Sequence, residues 1–169
     1  MPLSAVIPVR RILLIGYGNP GRGDDGLGPA LAAEIEALSI RGLTVDIDYQ
    51  LTVDHAALIA AHDLVVFADA MIGLAVPFRM ARVDDAQPTS LGSHQVSPEA
   101  ALLLAGLLFG TAPPGWVLAI AGEKFGDVQE GLSICARKNL AGAVAFLRGW
   151  IAAETATGSV PVAANHHAE

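Results

Sequence analysis

The chain is poor in cysteine, in basic residues and in long apolar runs, and each scarcity closes off a class of function. One cysteine, Cys135, in 169 residues cannot form an internal disulfide, which fits a reducing, cytoplasmic compartment. Ten Lys and Arg stand against 17 Asp and Glu, a formal net charge of −7. No basic face is therefore available for phosphates, and nucleic acid is not an expected partner. The longest apolar runs, residues 100–109 and 116–121, fall well short of the roughly 20 residues of a membrane span. No apolar stretch with a small-residue cleavage site accompanies Arg10 and Arg11, so no secretory signal is expected either. What remains is an apolar content of 53%, enough to build the core of one globular domain.

Read in order, residues 1–10 form a lead-in, residues 11–152 a single α/β domain, and residues 153–169 a tail. The run from Arg11 to Gly16 has the unbroken apolarity of a strand buried on both faces. Leu27, Leu31, Ile35 and Leu38 recur at helical spacing. Pro29 fits only the first turn of that helix, which makes Asp25 a candidate cap. Val45, Ile47 and Tyr49 alternate with Asp46 and Asp48 as in a half-exposed strand. A short helix from Val53 to Ala61 precedes a third strand, Leu64 to Ala68, expected to end at Asp69. Only eight residues separate Asp69 from the alternating segment at Phe78, too few for a parallel crossover, so the fourth strand should be antiparallel or at an edge. Ser97-Pro98 opens a helix to about Phe109, residues 116–122 read as a fifth strand, and Ser133 caps a last helix striped by Leu140, Val144, Leu147 and Ile151. The pattern predicts three layers: a mostly parallel, twisted sheet of about five strands with helices on both faces.

Such sheets bind ligands at the carboxyl ends of their strands, where the strand order reverses. The glycine-rich stretch from Ile15 to Gly28 sits there, with Asp24 and Asp25 in its middle. With the order 2-1-3, Asp25 and Asp69 face one crevice. Asp69 follows five apolar residues, where a carboxylate either bonds a loop amide or serves as a ligand. His94 precedes the helix opened by Ser97, whose start lies on the ligand side; a single loop histidine, taken alone, is more often an ordinary surface residue. Together, two carboxylates and an imidazole suit a divalent transition metal. His55 is within reach of the same crevice with no residue demanding it there, and His62 reads as solvent-facing. Glu123 and Lys124 read as a solvated loop on the rim. Cys135 reads as buried packing, and His166 with His167 as a tail able to bind stray metal.

Gly16-x-Gly18-x-x-Gly21 also matches the dinucleotide fingerprint, with Asp46 or Asp48 placed as a ribose-binding acid. Against it, Asp24 and Asp25 put negative charge where a pyrophosphate needs the helix N-terminus.

The longer pattern Gly16-x-Gly18-Asn19-x-x-x-x-Asp24-Asp25-Gly26-x-Gly28 resembles the hydrogenase maturation proteases, the C-terminal endopeptidases that process the large subunit of nickel–iron hydrogenases. The likeness continues through residues 63–70, the Ser-His-x-x-Ser-Pro segment from Ser93 to Pro98, and Gly131 to Ser133. It spans roughly Arg11 to Trp150. By position, the family's metal-contacting residues fall on Asp25, Asp69 and His94, and the family often carries glutamate where this chain has Asp25. The resemblance implies a peptidase that removes the C-terminal extension of a nickel-loaded large-subunit precursor.

On this reading Asp25, Asp69 and His94 grip nickel supplied by the substrate, and the metal or a water on it acts on the scissile carbonyl. Asp24 is a candidate for positioning or general-base work, or a helix cap. A monomer suffices for such a visit to a folded substrate. Two other functions stay open on the sequence: a nickel-binding assembly chaperone without peptidase activity, and a small dinucleotide-binding enzyme.

Overall fold

The computed structural model describes residues 8–85, 96–126 and 128–157. Strand β1 (Ile12–Tyr17) begins with four apolar side chains that are fully buried. It leads through a 3-10 turn (Asp24–Gly26) into helix α1 (Leu27–Glu36). Strand β2 (Leu43–Asp48) and the short helix α2 (His55–Ala60) follow, then strand β3 (Leu64–Ile72) and strand β4 (Phe78–Arg82). Helix α3 (Pro98–Phe109), strand β5 (Gly115–Gly122) and helix α4 (Ile134–Thr157) complete the chain. Helix α4 thus continues past residue 152, into the segment expected as a tail. The Arg10 guanidinium pairs with Glu154 near its end, which ties the lead-in to α4.

The sheet order is β2-β1-β3-β5-β4. All pairs are parallel except β4 with β5, so the fourth strand is both antiparallel and at an edge. Helices α1 and α4 cover one face over Leu14, Val66 and Leu118, whereas α2 and α3 cover the other over Ile15, Phe67 and Val117. Side-chain alternation along each strand feeds both cores at once. The order reverses between β1 and β3, the two strands that lead away in opposite directions.

Three local expectations change. Strand β3 does not end at Asp69. The β3–β5 ladder runs on to Ile72 opposite Gly122, because β5 supplies backbone partners beyond the point where β1 stops. Asp25 does not cap α1: the N-cap is Gly26, without a side-chain bond. Cys135 is exposed, one position off the buried stripe of Ala136, Leu140, Ala143, Leu147 and Ile151. Val144 sits only half-buried beside that stripe. Ser97 does cap α3, accepting from the Ala100 amide at 3.1 Å, with Pro98 at the first turn.

Candidate functional site

The glycines of the turn after β1 let α1 lie directly on the sheet. A Cβ on Gly16 would overlap the Gly28 carbonyl and the Ala32 side chain, and a Cβ on Gly28 would overlap the Tyr17 carbonyl and lie 2.5 Å from that of Ala68. Gly18, with φ +141°, would drive a Cβ into the Asp25 carbonyl. Only glycine allows that approach. The spacing that reads as a phosphate cradle is therefore used for strand–helix packing.

Within this turn the two aspartates part company. Asp24 is fully buried. Its Oδ2 accepts from the amides of Glu123 at 2.8 Å and Lys124 at 2.9 Å and from the Ser133 hydroxyl at 2.8 Å; its Oδ1 accepts from the Ser133 amide at 2.7 Å. Burial pushes its carboxyl up, but the four donors outweigh it and hold the group below the usual carboxylate range. Ser133 caps α4 as well, accepting from the Ala136 amide at 3.0 Å. The backbone reinforces the join: Gly23 N–H donates to Gln129 at 2.7 Å and Asp24 N–H to Lys124 at 2.8 Å. Of the roles open to Asp24, these bonds support positioning. Its lone pairs are filled by donors, which leaves no free base. Glu123 and Lys124 enter the site through their amides, as Asp24 donors, with their side chains exposed.

Asp25 keeps a lighter hold. It is half-buried, and the bond found for its carboxylate is Oδ2 accepting from the Asn19 amide at 2.9 Å. That amide is one a pyrophosphate would need, so the carboxylate takes the anion's place. The 3-10 turn carrying Asp25 lies against β3.

Asp69 sits in β3 on the α2/α3 face, since Val65 and Phe67 line that core and side chains alternate. Its Oδ1 accepts from the Ala70 amide at 2.8 Å, and the Tyr17 phenol is near enough to favour the ionised carboxylate. Burial, the largest influence, and the charge of Asp25 raise its pKa to about 7, against the pull of those two groups. The two expected carboxylates are thus within electrostatic reach of each other, and the Asp25 charge disfavours ionisation of Asp69. Tyr17 itself is pushed well above the ordinary phenol range, first by burial and then by the Asp69 charge. Sequence reasoning passed over Tyr17. Its signal was a hydroxyl-bearing residue in phase with Leu13 and Ile15 at the ligand end of a buried strand.

His94 lies outside the described residues. The described chain resumes at Val96, which packs against the α2/α3 core, and the charge of Glu99 in the first turn of α3 reaches Tyr17. Among the described residues no group of three His, Cys, Asp or Glu side chains could hold a metal ion. His55 is not part of the Asp25–Asp69 pair. It is buried, its Nδ1 accepts from the Thr52 amide at 2.9 Å, and its Nε2 lies 3.1 Å from Asp46 and 3.8 Å from Asp48. His62 is half-buried and tied to the Leu58 carbonyl and the Thr44 hydroxyl, at 2.7 and 2.9 Å. An open cavity of about 280 Å³ beside the turn is lined by Gly18, Pro20, Pro29, Ile47, Asp48 and Tyr49.

No protein-family model matches this chain, and no curated protein matches it by sequence. Solved structures do. The [NiFe] hydrogenase maturation protease HycI from Thermococcus kodakarensis superimposes with a TM-score of 0.68 at 20% identity, covering 85% of this chain and 94% of that one. The hydrogenase maturating endopeptidase HybD from E. coli gives 0.64 at 19% identity over 85% and 93%. The endopeptidase HycI from Escherichia coli gives 0.64 at 22% identity over 82% and 90%. The chain has the fold of the [NiFe] hydrogenase maturation proteases.

Proposed function

We propose that this protein is a hydrogenase maturation endopeptidase that removes the C-terminal extension of a nickel-loaded large-subunit precursor. The observation that carries the reading is the pairing of Asp25 and Asp69 at the point where the strand order reverses, on the fold described above. Two neighbouring carboxylates, one of them raised to about pH 7 by burial and by the charge of the other, form a site with no counter-charge among the described residues. A divalent cation brought by the substrate supplies it, releasing the Asp69 proton as it binds.

In this reading Asp25 and Asp69 contact the substrate's nickel, with His94 as the third contact. Nickel polarises the scissile carbonyl or activates the water that attacks it. Water adds to the carbonyl carbon, the C–N bond breaks, and the leaving amine takes up a proton. Recognition through the metal makes cleavage conditional on correct loading. The cavity beside the turn suits a protein substrate: it is open, and exposed Ile47 and Tyr49 give it an apolar rim. Asp24 holds the 123–133 loop against the turn and so positions Asp25 without touching substrate.

The deciding experiment is mass spectrometry of a large-subunit precursor incubated with this protein, with and without nickel. Loss of the extension from the loaded precursor alone is expected. Binding to the precursor with no mass change would instead make the protein an assembly chaperone. A rise in thermal midpoint with nicotinamide or flavin nucleotides would restore the dinucleotide reading.

A further inference from the structure

We infer that the outer edge of β2 is the docking strand for the precursor's C-terminal extension. The extension lies along it in extended form, with an apolar side chain in the cavity beside the turn and a basic one beside Asp46 and Asp48. The inference rests on the substrate proposed above.

Strand β2 closes one end of the sheet and pairs with β1 alone. The Gly42 carbonyl accepts from the Ile12 amide at 2.9 Å, and the Asp48 carbonyl accepts from the Gly18 amide at 3.1 Å. Alternate residues from Gly42 to Asp48 therefore turn their backbone groups toward β1, while Val45 and Ile47 turn theirs outward. The outward amides on either side are already used: Leu43 N–H donates to the Ile40 carbonyl at 3.2 Å, and Tyr49 N–H to the Asp48 carboxylate at 2.6 Å. The amides of Val45 and Ile47 meet no partner among the described residues. Such a bare edge is a template for an added strand.

Register with β1 gives the two faces of this edge different chemistry. Ile47 stands opposite Gly16, with Tyr49 in phase, on the α1 face; there they line the cavity of about 280 Å³ with Pro20 and Pro29. Asp46 and Asp48 stand opposite Ile15 and Tyr17 on the α2 face, their carboxylates 3.1 and 3.8 Å from His55 Nε2. No Lys or Arg pairs with either of them among the described residues. Successive side chains of an added strand alternate between the two faces. One enters the apolar cavity and the next lies beside the two carboxylates, which selects a large apolar residue adjoining a Lys or Arg. A second copy of β2 fits poorly, since it would set Asp46 and Asp48 against like charges. Gly18 and Pro20 flank Asn19, whose amide holds Asp25, so a chain on this edge reaches the turn that carries the candidate site.

The test follows amide hydrogen exchange in the full chain with three probes: the nickel-loaded precursor, the same precursor without its extension, and a synthetic peptide of the extension. The complete precursor and the peptide are expected to protect the Val45 and Ile47 amides, and the shortened precursor to leave them exposed. Ile47→Pro removes one outward donor and spares the bonds to β1. It should raise the dissociation constant for the complete precursor, and KM with it, by about 2–10-fold, the worth of one hydrogen bond, with kcat unchanged. Tyr49→Ala, at an exposed position, should weaken binding through the cavity wall without moving the melting temperature. Amides left unprotected by the complete precursor, or protected equally by the shortened one, would overturn the inference. So would a wild-type dimer that Ile47→Pro splits, which gives the edge to a second copy. If the wild type cleaves while the edge stays unprotected, the docking inference alone fails. If the precursor protects the edge and is never cut, the docking inference stands and the peptidase reading fails.

Discussion

The Asp24 carboxylate and the Ser133 hydroxyl are hydrogen-bonded at 2.8 Å across 109 residues of sequence, both residues buried. This bond and the three beside it clamp the loop after β5 and the start of α4 onto the turn that presents Asp25. The first half of the site is thus held in shape by the second half of the chain.

Replacing Asp24 with alanine strands the amides of Glu123, Lys124 and Ser133 together. Hydrogen bonds to a charged acceptor are worth about 1.5–3 kcal/mol each, and non-additivity within one cluster keeps the total below their sum. A loss of about 3 kcal/mol in unfolding free energy is expected. Hydrogen exchange should show the deprotection confined first to those three amides.

The same variant predicts a pH dependence. The folded Asp24 carboxyl is held below its ordinary value, so its contribution is full above the unfolded value of about 4 and fades as pH falls through the folded one. The stability gap between wild type and Asp24→Ala should be widest near neutrality and narrow on acidification below about pH 4. Denaturant melts at a series of pH values measure it, and a gap that widens in acid would contradict the assignment.

Asp69 predicts the opposite sign. Its carboxyl is raised from 3.8 to about 7 in the folded protein. The folded state therefore binds the proton more tightly, and stability declines as pH rises between those values. Without metal, Asp69→Asn should be more stable than wild type at pH 8, by at most about 4 kcal/mol, and little different at pH 4. It should also lose cleavage. A variant that gains stability while losing activity separates the cost of a functional carboxylate from a folding role.

Asp25→Ala should cleave no precursor yet fold normally. Among the described residues its carboxylate makes one bond, to the Asn19 amide, so about 1 kcal/mol of stability is at stake. Equal cleavage by this variant would remove Asp25 from the site.

Gly28→Ala should be among the most damaging changes available to so small a side chain. A methyl there meets the carbonyls of Tyr17 and Ala68, which belong to two sheet strands and cannot retreat separately. A loss of about 3 kcal/mol or more is expected from lifting α1 off the sheet, visible as a lowered melting temperature and a weakened Asp25 site.

Layers, strand order around β1 and the antiparallel edge strand were legible in the sequence because each follows from local periodicity and from connection length. Eight residues between Asp69 and Phe78 rule out a crossover wherever those strands lie. Asp25 and Asp69 were placed on the same side of the sheet because Asp25 follows buried β1 and Asp69 comes directly after the fully buried run of β3, and parallel strands bring such positions to one edge. Residue spacing also matched a phosphate cradle, but two of those glycines, Gly16 and Gly18, serve with Gly28 the close packing of α1 and its turn on the sheet, which spacing alone does not distinguish. Cys135 was misplaced because helical phase errs by one position when no neighbour fixes it.

By itself, then, the sequence determined the α/β fold and brought two carboxylates toward the carboxyl ends of its central strands, since those depend on hydrophobic pattern along single segments. Only the tertiary structure decided what each acid does. Adjacent in sequence, Asp24 and Asp25 are equivalent until distant donors arrive: Glu123, Lys124 and Ser133 bond the carboxylate of one, while among the described residues the other meets a single amide. Asp69 likewise acquires its raised pKa from burial, from Asp25 and against the pull of Tyr17. Proton affinity and free lone pairs are properties of surroundings assembled through space, and no window along the chain contains them.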